Sequence, residues 1–169
     1  MMNITNVIRE LNKLKQRKIL KDYALFGAVA SSYYMYPVFT DDIDVIVLAD
    51  TDSDYIKIWN ELKLKSEKIV DFTFIIKGTK LQIFPTSVSP LYKDAITNAQ
   101  KVKVDNLVTK IALKEHLIML FLTANRGKDQ YKAKILLETA NVKYLNNLLR
   151  RFDNGTIAQR IKALQSSHT

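Results

Sequence analysis

The sequence predicts an α/β (α+β) protein built as one helix, a block of strands mixed with helices, and then a C-terminal run of helices. Three observations carry this. Short β-branched runs lie between about residues 20 and 110, helical periodicity dominates from about 112 to 165, and the 169 residues with 47% hydrophobic content suffice for one sizeable core. The expectation is a single domain over 1–169.

Element by element, Val7, Ile8, Leu11 and Leu14 recur at helical spacing and predict an amphipathic helix from Asn6 to Leu20, capped by Asn3, Thr5 or Asn6. Tyr23 to Phe26 is a short apolar run that stops at Gly27. Ala28 to Ser32 then lead into aromatics before Pro37, which reads as strand, tight turn and short helix. Asp42 to Leu48 runs into Ile43, Val45, Ile46 and Val47, a strand buried at its far end and acidic at its near end. A helix opens at Ser53, and the runs Ile69 to Ile76 and Lys80 to Phe84 fit an antiparallel hairpin around Lys77-Gly78-Thr79. After Pro85 and Pro90 the chain reads as helical with interruptions: 91–99, 113–124, 130–138, 144–152 and 157–164.

Bulk properties exclude several classes. With no cysteine there are no disulfides, thiolate metal sites or cysteine nucleophiles, and the composition fits a reducing, cytoplasmic setting. The longest apolar run, Leu117 to Leu122, is far short of the roughly 20 residues that span a bilayer, so no membrane association is expected. The balance of 26 Lys+Arg against 17 Asp+Glu gives a net charge of +9, a potential that favours polyanionic partners such as nucleotides or RNA. Much of that charge is lysine spread along helices, which a solvated surface explains equally well.

Candidate chemistry concentrates between residues 27 and 44. Side chains alternate along a strand, so Asp42 and Asp44 share a face with their Cα atoms roughly 6 to 7 Å apart, and Asp41 points away. Two carboxylates at a strand start suit a hard cation that keeps positions open for phosphate. Upstream, Gly27 lets the backbone approach an anion, and Ala28 leaves the turn without bulk.

The residues Leu25-Phe26-Gly27-Ala28-Val29-Ala30, Tyr33-Tyr34 and Thr40-Asp41-Asp42-Ile43-Asp44-Val45 resemble the signature of the nucleotidyltransferase superfamily, a small-residue turn followed by an acidic pair on the next strand. Tyr92 to Ile96, Leu113 to Ile118 and Arg126-Gly127-Lys128-Asp129 are similar to the helical follow-on of minimal nucleotidyltransferases and abortive-infection toxin relatives. The resemblance spans about residues 20–140. It implies a mixed sheet flanked by helices and a two-ion Mg2+ site on Asp42 and Asp44. The implied reaction moves a nucleoside monophosphate from a nucleoside triphosphate to a hydroxyl of RNA, such as tRNA, or of protein. It also implies a toxin–antitoxin setting with a helical partner protein. The alternative is a catalytically degenerate fold that acts as a nucleotide- or RNA-binding module.

Several positions depart from the family pattern. The third carboxylate position, in Leu81-Gln82-Ile83, holds Gln82, with Asp71 as a substitute if register places it opposite. Ala28 lacks a hydroxyl that Ser31 or Ser32 could supply from the first helical turn, although serines there more often bond the local backbone. Val38 replaces an arginine. Lys128 is the candidate nucleotide-binding lysine, with a solvated loop as its plain alternative. His116, among apolar neighbours, reads as a core-edge side chain, and Tyr33, Tyr34 and Tyr36 as packing rather than base stacking.

Overall fold

The computed structural model describes residues 3–166, which form eight α-helices and one seven-stranded mixed sheet. The helices are α1 (Ile4–Gln16), α2 (Gly27–Ser31), α3 (Asp52–Lys65), α4 (Pro90–Thr97), α5 (Lys114–Ala124), α6 (Gly127–Leu137), α7 (Val142–Phe152) and α8 (Thr156–Ser166). The strands are β1 (Tyr23–Phe26), β2 (Asp42–Val47), β3 (Lys68–Val70), β4 (Thr73–Ile76), β5 (Thr79–Pro85), β6 (Gln100–Val104) and β7 (Leu107–Ile111). In the sheet they lie in the order β3-β4-β5-β2-β1-β7-β6. The expected α/β fold is what the chain adopts.

The sheet centre is mixed. β1 and β2 run antiparallel, while β2 pairs parallel with β5 and β1 parallel with β7. Both flanks are hairpins, β3-β4-β5 on one side and β6-β7 on the other. β2 carries Ile43, Val45, Ile46 and Val47 without solvent contact, as a strand covered on both faces demands. β6 forms an outer edge, and its Lys101 and Lys103 are exposed.

Amphipathic α1 buries Val7, Ile8, Leu11 and Leu14. It ends at Gln16, earlier than its apolar pattern suggests, because Lys18 takes a left-handed φ of 57° and the amides of Ile19 and Leu20 both bond back to the Leu14 carbonyl. α3 is capped by Thr51, whose hydroxyl accepts from the Asp54 amide at 3.1 Å. α5 is apolar on all sides, with every residue from Glu115 to Leu122 buried, and α6, α7 and α8 pack around it. Among the described residues no helix is long and apolar enough to cross a membrane.

Two expectations are corrected. The run 69–76 is not one strand: Asp71 and Phe72 adopt positive φ (47° and 62°) and form a two-residue turn between β3 and β4. The stretch after Pro90 is not wholly helical, because Gln100 to Ile111 forms the β6-β7 hairpin, turning at Asp105 with φ 52°. Its Lys-Val alternation is a period-two pattern too short to stand out beside neighbouring helices.

Phe74 is wholly buried, with its ring centroid 4.5 Å from that of Trp59, the protein's single tryptophan. Phe74→Ala is expected to cost about 3–5 kcal/mol, read as a lowered urea midpoint of Trp59 fluorescence.

Candidate active site

Strand β1 stops where Gly27 turns the chain with φ +66°, a conformation that disfavours any residue with a side chain. The register Phe26↔Asp44 then sets Asp44 beside this turn. A Cβ added at Gly27 would lie 3.1 Å from Asp44 Cγ and closer still to its Oδ2. Glycine is thus required twice, by the backbone angle and by the carboxylate packed against it. The bend and the acidic pair consequently face the same hollow.

That hollow is a cavity of about 770 Å³. Its walls include Gly27 and Ala28 from the turn, Thr40, Asp42 and Asp44 from the approach to β2 and β2 itself, and Gln82 and Phe84 from β5. Ser89, Leu91 and Tyr92 come from the start of α4, and Arg126, Lys128, Asp129 and Lys132 from α6 and its N-terminal flank. Phe26, Phe84 and Tyr92 form an aromatic cluster with centroids 5.1 to 6.3 Å apart.

Asp42 and Asp44 are half-buried on one face of β2, with buried Ile43 between them on the other. The Thr40 hydroxyl fixes the strand start, accepting from the Asp42 amide at 3.3 Å and donating to the Asp42 carbonyl at 3.1 Å. Lys80, beside Asp42 in register, brings its Nζ to 4.0 Å from Oδ1. Burial, followed by the charge of Asp42, raises the Asp44 carboxyl from 3.8 to about 6, against the pull of Arg126, Lys132 and Lys128. The cavity is therefore lined by the crowded pair Asp42 and Asp44 and by Arg126, Lys128 and Lys132 with Asp129 among them.

Gln82 lies directly beside Asp44 in the parallel β2-β5 register, and its Nε2 donates to Thr73 Oγ1 at 2.9 Å. Asp71 does not substitute for it. Asp71 sits in the β3-β4 turn, and the residue placed across from Gln82 is Thr73. Ser31 is likewise corrected as a phosphate ligand: it has no solvent exposure, and its hydroxyl donates to the Ala28 carbonyl at 2.8 Å. Ser32 bonds the same carbonyl at 3.0 Å, so both hydroxyls serve to fasten the single turn of α2.

His116 is buried, with Nε2 3.2 Å from Asp94 Oδ1, and it does not border the cavity. Tyr34 donates to the Ala112 carbonyl at 3.0 Å, while Tyr36 joins its hydroxyl to that of Tyr131 on α6. Lys128 borders the cavity and is exposed. Arg126, which lies in the Arg126-Gly127-Lys128-Asp129 motif but was given no role there, and Lys132, which lies beyond it, also reach the cavity. Their spacing of three about Asp129 marks one helix face but not the cavity that this face meets. Among the described residues no third His, Cys, Asp or Glu joins the acidic pair in a metal-binding group. The donor set is two carboxylates and the Gln82 amide.

No family model matches this chain, and no curated protein matches it by sequence. Solved structures do. An antigenic nucleotidyltransferase-like protein of Paracoccidioides brasiliensis aligns over 96% of this chain and 94% of its own, with a TM-score of 0.58 at 16% identity. The chain has the nucleotidyltransferase fold. ANT(2'')-Ia, solved in complex with adenylyl-2''-tobramycin, aligns over 96% of this chain and 97% of its own, with a TM-score of 0.58 at 11% identity. A candidate nucleotidyltransferase of Thermotoga maritima gives 0.50 at 17% identity, covering 83% of this chain and 97% of that one. The first two likenesses extend along nearly the whole chain.

The raised carboxyl has a thermodynamic signature. Because Asp44 titrates near 6 in the folded protein against an ordinary 3.8, ionising it works against folding, and stability is lost as pH rises through that window. In chelator-treated protein, Asp44→Asn should exceed wild type by about 2–3 kcal/mol at pH 7.5 and match it below about pH 4, by urea unfolding.

Proposed function

We propose that this chain transfers a nucleoside monophosphate from a nucleoside triphosphate to a hydroxyl acceptor, using magnesium held by Asp42 and Asp44. The observation that carries the reading is one cavity in which two crowded carboxylates meet Arg126, Lys128 and Lys132 beside a glycine turn.

The donor set fits a hard divalent cation. All its candidate ligands are oxygens, two are anionic, and no nitrogen or sulfur ligand competes within the group. When bound, magnesium supplies charge neutralisation on the triphosphate and orientation of the reacting oxygens. The chain's own residues do the rest. Arg126, Lys128 and Lys132 attract the phosphate chain, Gly27 and Ala28 leave room for it, and the Phe26, Phe84 and Tyr92 cluster offers apolar surface for the base. Gln82 stands where the family pattern places an acid, and it can accept a hydrogen bond from the incoming hydroxyl without removing its proton.

The acceptor we favour is RNA, tRNA included, because the net charge of +9 draws polyanions. A protein hydroxyl is the next choice, and the small-molecule hydroxyl implied by the adenylyl-tobramycin complex of ANT(2'')-Ia is a third. A toxin–antitoxin role with a helical partner rests on the family resemblance, and expression-dependent growth arrest would test it. Gln82 also favours a second reading, a fold that still binds nucleotide and has lost turnover.

Incubation with each α-32P nucleoside triphosphate, magnesium, and total RNA or protein should label one acceptor class. Asp42→Asn and Asp44→Asn should each reduce labelling by at least about a hundredfold. Triphosphate binding with no transfer to any acceptor selects the binding-module reading. In that case Gln82→Asp, which returns a carboxylate beside Asp44, should restore measurable pyrophosphate release.

A further inference from the structure

Exposed aromatic rings are concentrated on one part of this surface. Among the described residues Tyr33, Tyr36, Phe39, Phe72 and Tyr131 are exposed, and all but Phe72 lie in the segment 33–39 or on α6. Packing explains Tyr34, which is half-buried and donates to the Ala112 carbonyl. It does not explain the rings around it: Tyr36 is 51% exposed, Tyr131 57% and Phe39 90%. One exposed ring is ordinary, whereas several together mark a surface that a ligand covers.

The rings are held in place. Tyr36 and Tyr131 join their hydroxyls, which ties the segment 33–39 to α6. Ser32 Oγ accepts from the Val38 amide at 3.1 Å, and Pro37 restricts the backbone between Tyr36 and Phe39. Rings fixed in advance lose little entropy when a flat group stacks on them. Their location is defined as well. None of these rings lines the cavity, but Phe39 precedes Thr40 and Tyr131 follows Lys128 by one helical turn, and Thr40 and Lys128 are both cavity walls. The rings therefore stand at its rim, between the segment that leads to the acidic pair and the helix that carries Lys128.

Ring chemistry and charge choose the occupant. Lys128 is exposed on the same face of α6 as Tyr131, and the whole chain carries +9. The exposed acid nearest in sequence is Asp41, on the approach to β2. The segment 33–39 and α6 expose no leucine, isoleucine or valine. Planar rings beside a lysine suit an unpaired base, which stacks on a ring while its phosphate meets the cation. A duplex hides its base faces and offers such rings nothing to stack on. We propose that Tyr36, Phe39 and Tyr131 form a stacking platform for the last bases of an unpaired RNA end, holding its terminal ribose hydroxyl toward the cavity. The platform rests on the nucleotidyl-transfer reading with RNA as acceptor, and deepens it by naming where the acceptor binds.

The probe is a short fluorescein-labelled oligoadenylate RNA, titrated into the full chain by fluorescence anisotropy without triphosphate, beside an abasic strand with the same number of phosphates. The wild-type chain should bind the oligoadenylate at least about fivefold more tightly than the abasic strand. Phe39→Ala and Tyr131→Ala should each weaken oligoadenylate binding by about fivefold or more and leave the abasic strand within about twofold. Phe39→Trp should keep full affinity, and Phe72→Ala, an exposed ring outside this surface, should change neither strand. In the labelling assay Phe39→Ala should raise KM for RNA severalfold while leaving KM for the triphosphate unchanged. Equal wild-type affinity for the two strands overturns the platform, and so does oligoadenylate affinity unchanged in Phe39→Ala. Phe39 projects so far into solvent that its variant stays decisive even where Tyr131→Ala disturbs α6. Either overturning result leaves nucleotidyl transfer itself to the labelling assay. Ring-dependent RNA binding by a chain that labels no RNA sustains the platform as a binding surface and overturns RNA as the acceptor.

Discussion

The contact between the Gly27 backbone and the Asp44 carboxylate is the constraint on which the cavity depends. It exists because β1 and β2 pair antiparallel with Phe26 opposite Asp44, so the strand that ends in the turn and the strand that begins with the acids are hydrogen-bonded neighbours. A one-residue slip would carry both acids to the other face of the sheet, and no local change could return them. Such a slip is resisted because it would drive the two carboxylates onto the face where Ile43 is wholly buried.

A second layer of organisation comes from α5. Its side chains are buried all round, so it serves as the post against which α2 and the three last helices pack. The short loop after it, through Arg126, delivers α6 to the cavity, and Asp129 becomes buried where the two helices meet. The strand thus contributes the acidic pair, and the helical segment contributes Arg126, Lys128 and Lys132 together with the buried Asp129. Neither half alone defines a site for a charged ligand. A metal-carrying anion would draw the two together in energy as well as in space.

Much of this was legible in the residues. The fold class, the strand carrying Asp42 and Asp44, the bend at Gly27 and the late helices follow from period and punctuation, and the structure agrees with each. Gln82 was read as the residue at the family's third-carboxylate position, and the parallel β2-β5 register sets it beside Asp44. What escaped had physical reasons. Asp71 and Phe72 both take left-handed angles that sequence rarely announces without glycine or asparagine, so a turn was read as strand continuation. Ser31 looked like a ligand because motif spacing says nothing about burial. Arg126 and Lys132 reach the cavity through the packing of α6 on α5, a tertiary fact that single-segment periodicity does not encode.

The exposed lysines of β6 have a consequence of a different kind. An outer strand presents unpaired amides and carbonyls, an invitation for a second molecule to add its own strand. With Lys101 and Lys103 on that margin and an overall charge of +9, two such margins meeting in register would confront like charges at close range. The surplus of positive charge therefore works against association through this edge. Neutralising that surplus, by acetylating lysines or saturating the chain with polyanion, would weaken this barrier to edge-to-edge fibre growth.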